Sequence, residues 1–136
     1  MNEQDRGKVL RGCLDKRMLA TLGTAYPAQG RQYTHLTPRI VAALGEIQSL
    51  SQIELPLLPT EDLGTLDRTD VTALYRMLRT VYLAELVFGD ACRARDWLCA
   101  PKRRLRGRVP LLIAGHLEHA HRLEHWLMEI DEGCRL

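Results

Sequence analysis

Residues 69–88 read TDVTALYRMLRTVYLAELVF, and this stretch decides the fold. Val71, Leu74, Tyr75, Leu78, Tyr82 and Leu86 recur at close to the 3.6-residue period of an α-helix. The run is too long for an ordinary strand and does not alternate apolar with polar residues. It therefore predicts a helix over about 69–88. Gly89 supplies a stop, because glycine accepts the left-handed backbone that closes a helix. Asp90 can cap the amides of a following helix over about 91–99, whose apolar line is Ala91, Ala94, Trp97 and Leu98.

Upstream, Leu10, Leu14, Met18 and Leu22 recur every four residues, with Val9 and Cys13 beside them. They predict a first helix over 3–22. Gly23, Pro27 and Gly30 make residues 23–34 a loop, leaving the first helix as a separable arm. A second helix is expected to begin at Thr37-Pro38, where Thr caps free N–H groups and Pro suits the first helical position. Leu36 and Val41 are placed to form a hydrophobic staple, and Ile40, Val41, Leu44 and Ile47 form the apolar stripe. Pro56 and Pro59 interrupt IELPLLP at 53–59, so residues 51–69 read as a short helix or two with turns. A last helix is expected over 116–132, with Ala120, Leu123, Leu127 and Ile130 inward and Gly133 at its end. The fold class is all-α, a compact arrangement of about six or more helices.

Composition narrows the functional classes. The chain has 136 residues, 46% hydrophobic and 26% charged, which suits one small core and excludes wholesale disorder. Its 19 basic and 17 acidic residues give a net charge of +2, so global charge does not mark a nucleic-acid binder. No apolar run nears the roughly 20 residues that span a bilayer. The charged opening residues do not read as a signal peptide. The expected location is the cytoplasm, with no membrane contact. Cys13, Cys92, Cys99 and Cys134 lack paired spacing and read as reduced thiols, mostly small buried side chains.

Two clusters carry candidate chemistry. In HLEHAHRLEH (116–125), His121 and His125 share a helix face with Glu118. Three such side chains could ligate a metal, but H-E-x-x-H is absent and the face lies opposite the inward stripe. A wet or partner-facing surface suits it better. The same outward side carries Leu117, Met128 and Glu132, a mixture that hints at a protein partner. The second cluster is Lys102-Arg103-Arg104-Leu105-Arg106-Gly107-Arg108, with five cations in seven residues. Such a run can neutralise phosphates, meet an acidic protein surface or stay solvated. It lacks the interleaved aromatics of single-strand binders. No phosphate loop, G-x-S-x-G or paired-carboxylate signature appears, so no catalytic residue, metal or cofactor is assigned.

The C-terminal part says more. Ala84-Glu85-Leu86-Val87-Phe88-Gly89-Asp90 is followed by Ala94-Arg95-Asp96-Trp97-Leu98, then Pro101, Leu105, Gly107, Pro110 and Leu111, and finally Leu123, Leu127, Ile130 and Gly133. In this order the residues resemble the toxin-binding domain of Xre/MbcA/ParS-type antitoxins, partners of RES-domain toxins. The linked set W-L, P, L-x-G-x-x-P and terminal G carries the resemblance. Lys102 stands where the family has Asn, Gly115-His116 where it has Asp-Thr, and His119 where it has a small Gly. Trp97 and Leu98 are expected on the inner side of their helix, Gly107 in a tight turn and Pro110 in the first turn of the next helix.

The resemblance implies a bacterial type II antitoxin, not an enzyme. It would neutralise a RES toxin, which consumes NAD or ADP-ribosylates a target, by covering the active site with its C-terminal helix and tail. Carried over, the tail is Glu132, Gly133, Cys134, Arg135 and Leu136, and Arg103, Arg104, Arg106 and Arg108 line the same interface with His121, His125 and Met128. The implied division is 1–30 as an arm or dimerisation element, 31–83 as a degenerate helix-turn-helix-like region and 84–136 as the toxin-binding domain. Leu36-Thr37 and Ala43-Leu44-Gly45 resemble the start of such a helix-turn-helix. The stretch where the recognition helix is expected, 47–53, holds Gln48 and Gln52 but no cation. An operator-binding autorepressor is therefore the alternative function. Self-association through Leu10, Leu14 and Met18 is the expected homodimer contact.

Overall fold

The computed structural model describes residues 3–23, 33–51, 53–55 and 66–133. Six α-helices appear among them: α1 (Glu3–Leu22), α2 (Tyr33–Ser51), α3 (Arg68–Phe88), α4 (Ala91–Cys99), α5 (Pro110–Ile113) and α6 (Leu117–Gly133). A 3-10 turn covers Arg103–Leu105. There is no β-strand among the described residues, only an isolated bridge between Lys102 and Arg108.

α3 is the central element. Its N-terminus is fixed by a reciprocal cap in which Asp67 accepts from the Asp70 amide at 2.8 Å and Asp70 accepts from the Asp67 amide at 3.2 Å. Its other end closes on Gly89 at φ 70°. Between the caps, Val71, Leu74, Tyr75, Met77, Leu78 and Val81 are buried. They point in more than one direction, as expected of a helix covered by neighbours rather than lying on a surface. α1, α2, α4 and α6 all pack against α3. Each fully buried Leu in this core contributes about 1.5–3 kcal/mol relative to exposure.

Packing changes several expectations. Leu10, Leu14, Met18 and Leu22 are buried within the chain itself. The face assigned to dimerisation is thus already occupied, because closing the core gains more apolar burial than leaving the helix as a free arm. α2 starts at Tyr33, not at Thr37-Pro38, and Pro38 lies inside the helix. Thr37 is not a cap but a buried residue, one turn before the fully buried Ile40 and two before Leu44. Burial of that stripe outweighs the roughly 3 kcal/mol that an interior proline costs a helix. The Leu36 side chain of the expected staple lies outside the described residues. Of the short helix or two expected over 51–69, residues 53–55 and 66–67 are non-helical, and 56–65 lie outside the described residues.

Asp90 does cap α4, accepting from the Cys92 amide at 2.8 Å. Leu98 is fully buried, but Trp97 is only half-buried and Ala91 is exposed. Trp97 instead joins a row at the α4–α6 seam, 5.9 Å from Phe88 and 4.9 Å, edge-on, from Trp126. Cys13 and Cys92 are exposed and Cys99 is intermediate, so the buried-thiol reading fails for these three. The helices of Cys13 and Cys92 bury longer aliphatic side chains and turn these thiols outward, while Cys99 packs partly against the core. Cys134 lies outside the described residues.

Candidate functional site

The 101–109 segment folds back on itself. The Lys102 amide donates to the Arg108 carbonyl at 3.0 Å and the Gly107 amide to the Lys102 carbonyl at 2.9 Å. Two successive left-handed residues, Arg106 at φ 59° and Gly107 at φ 83°, make the reversal. Leu105 turns inward and is buried, which leaves the arginines around it at the surface. Pro110 then opens the one-turn α5. Gly115 joins α5 to α6 where a Cβ would sit 3.3 Å from the Ala73 Cβ on α3. Arg76 clasps this junction, donating to the Gly115 carbonyl at 3.1 Å.

α6 is laid down by Leu123, Leu127 and Asp131, all buried. The inward line thus ends on Asp131, and Ile130 is only half-buried. Asp131 is satisfied from α1, where Arg6 donates from Nε to Oδ2 at 3.1 Å and from Nη2 to Oδ1 at 3.3 Å. His121 and His125 are exposed, and both border two adjoining grooves. One groove, of about 670 Å³, runs between α1 and α6 past Leu10, Arg11, Glu124, Met128 and Glu132. Met128 is therefore half-buried against the core rather than outward. The seam of α1 covers it.

The second groove, of about 620 Å³, lies between the 101–109 segment and α6, and no acidic residue lines it. Arg104, Arg106 and Arg108 meet Arg122, His119 and Trp126 there. Arg104 is already engaged. Its Nη1 reaches Glu129 Oε2 at 3.3 Å, and its guanidinium lies 4.8 Å from the Trp126 ring centre. The other Glu129 oxygen takes His125 Nε2 at 3.0 Å. Arg108 donates to the Leu105 carbonyl at 3.0 Å and to His119 Nε2 at 3.4 Å. A guanidinium only donates, so His119 Nε2 accepts and the neutral ring keeps its proton on Nδ1. That Nδ1 is buried without a partner among the described residues. Burial first, then Arg108, His116 and Arg122, pushes His119 below the usual histidine range, with Glu118 opposing. Across the seam the Lys102 ammonium lies 5.0 Å from the Trp97 ring centre, and burial lowers its pKa.

The residues read from the sequence thus divide. Arg104, Arg106, Arg108, His121 and His125 share the cationic groove, whereas Met128 and Glu132 belong to the α1–α6 groove. Arg103 is exposed outside both, and Gly133 is exposed at the end of α6. Cys134, Arg135 and Leu136 lie outside the described residues, as does Gln52. Gln48 accepts the Leu55 amide at 2.7 Å, so its side chain closes the turn after α2. Among the described residues no three His, Cys, Asp or Glu side chains converge on one point. No helix there is long and apolar enough to cross a membrane. Arg122 was missed, although its place three residues after His119 puts both on one face. The Arg6–Asp131 pair had no sequence signal, because its partners are 125 residues apart.

Among the described residues the chain is all-helical, and its polar chemistry gathers on the outer face of α6 and the 101–109 segment that faces it. Residues 83–133 match the antitoxin Xre/MbcA/ParS C-terminal toxin-binding domain. The chain is also similar to a protein named Antitoxin Xre from Pseudomonas putida, 35% identical over 72 residues. That similarity covers 53% of this chain and 44% of the relative, so the chain spans less than half of that protein's length. No solved structure matches.

Proposed function

We propose that this chain is the antitoxin of a type II pair, and that it neutralises a RES-domain toxin by covering the toxin's active site with α6 and the tail that follows. The match of residues 83–133 to a toxin-binding domain carries this reading. The RES partner and the covering mechanism follow from the family resemblance. The exposed side of α6 supports it, since that helix ends at Gly133 next to the segment proposed to enter the cleft. The proposed contact set is Arg104, Arg106 and Arg108 with His121, His125 and Met128, continued by residues 132–136.

The test is co-expression with the toxin encoded by the neighbouring reading frame. Removing residues 132–136 is expected to weaken inhibition by at least about tenfold, equivalent to about 1.4 kcal/mol of contact. Thermal melting should stay close to that of the full chain, because Leu123, Leu127 and Asp131 are retained. Undiminished neutralisation by the shortened chain would rule out tail insertion.

A further inference from the structure

We infer that the groove between residues 101–109 and α6 docks an acidic segment of the toxin, held by Arg106, Arg108 and Arg122. This rests on the antitoxin reading and identifies the chemistry of its second contact. Charge supplies the argument. Four arginines border the groove and no Asp or Glu does. Arg104 spends its charge on Glu129 and its flat face on Trp126. Arg106 and Arg122 have no acid partner among the described residues, and the Arg108 guanidinium meets only a carbonyl and an imidazole. Three uncompensated guanidiniums therefore share one concave surface.

The backbone that carries them is set before any partner arrives. Arg106 stands on a closed turn, Arg108 is held at two points, and Arg122 rides on a helix anchored by the buried Leu123. The Arg108 guanidinium, held at two points, loses less freedom on binding than a free side chain. A guanidinium fork suits a carboxylate in two-point contact. Nucleic acid fits less well. Arg104 already covers a face of Trp126 and Lys102 lies over Trp97, so one face of each ring is closed to base stacking. The groove is also continuous, through His121 and His125, with the α1–α6 groove that leads to Glu132. An acidic segment lying here would thus extend the contact made by the tail.

The experiment measures binding of the full chain to the cognate toxin by calorimetry at several salt concentrations. Arg106→Glu, Arg108→Glu and Arg122→Glu together should weaken binding at least about tenfold and flatten its salt dependence. Arg93→Gln should change affinity less than about threefold, because that exposed cation stands on α4, outside both grooves. Replacing the three with Lys should restore most of the affinity and the salt dependence. A folding check is the melting temperature, since all three side chains are exposed. Wild-type affinity and salt dependence in the Glu variant overturn the inference and leave the antitoxin reading standing. Loss of binding to promoter DNA but not to toxin also overturns it. A full chain that binds no toxin defeats both.

Discussion

His119 is a histidine whose surroundings all favour the neutral ring. Its Nε2 accepts from Arg108 and its Nδ1 is buried. Protonation would place a hydrogen against a guanidinium and add charge beside Arg122 and His116. The folded-state pKa is therefore below the ordinary 6.5. Above that value both folded and unfolded chains are neutral here and stability is whole. As pH falls through it, the unfolded chain takes up the proton first and stability drops, until the folded chain protonates as well. Urea midpoints measured between about pH 7 and about pH 5 should fall in the native chain, and fall less in His119→Gln. Equal slopes would show that the ring titrates as it does in the unfolded chain.

At the scale of elements, the 101–109 segment combines strain with display. Arg106 occupies the left-handed region at φ 59°, which costs a non-glycine residue about 1–2 kcal/mol. Gly107 beside it makes the same turn without that cost. Arg106→Gly is expected to raise stability by about 0.5–1 kcal/mol, the relieved strain less the added freedom of the unfolded chain. It should also weaken toxin binding. Urea unfolding and calorimetry on the same variant check the two effects. A gain in stability with no loss of binding would separate the turn from the docking surface. The sequence indicated this turn through Gly107 and Pro110. It could not indicate that the arginine before the glycine shares the left-handed backbone.

Across the whole molecule, the first helix and the last are tied through Arg6 and Asp131. The carboxylate is buried and the guanidinium is about a third exposed. Removing the cation takes two charge-assisted donors from a buried carboxylate. Arg6→Ala should therefore cost about 2 kcal/mol, and Arg11→Ala less than about 1 kcal/mol, because the Arg11–Glu124 pair is 3.6 Å apart and more exposed. Urea denaturation of the two variants measures the difference, and equal costs would mean that the Arg6–Asp131 pair adds no more than an exposed one. The same tie makes α1 a wall of the groove leading to the tail, although it lies far outside the matched domain.

The spans of α1, α3 and α4, the stop at Gly89 and the linked pattern over 84–133 were set by local sequence, because periodicity, capping and glycine backbone are properties of neighbouring residues. The same local logic identified the arginine run and the His121–His125 face. Packing alone decided that Pro38 lies within a helix, that Met128 and Asp131 turn inward, and that Arg122 joins Arg106 and Arg108. Helical period fixes angles within a helix. The rotation of one helix against another follows from burial and charge pairing between residues far apart in the chain.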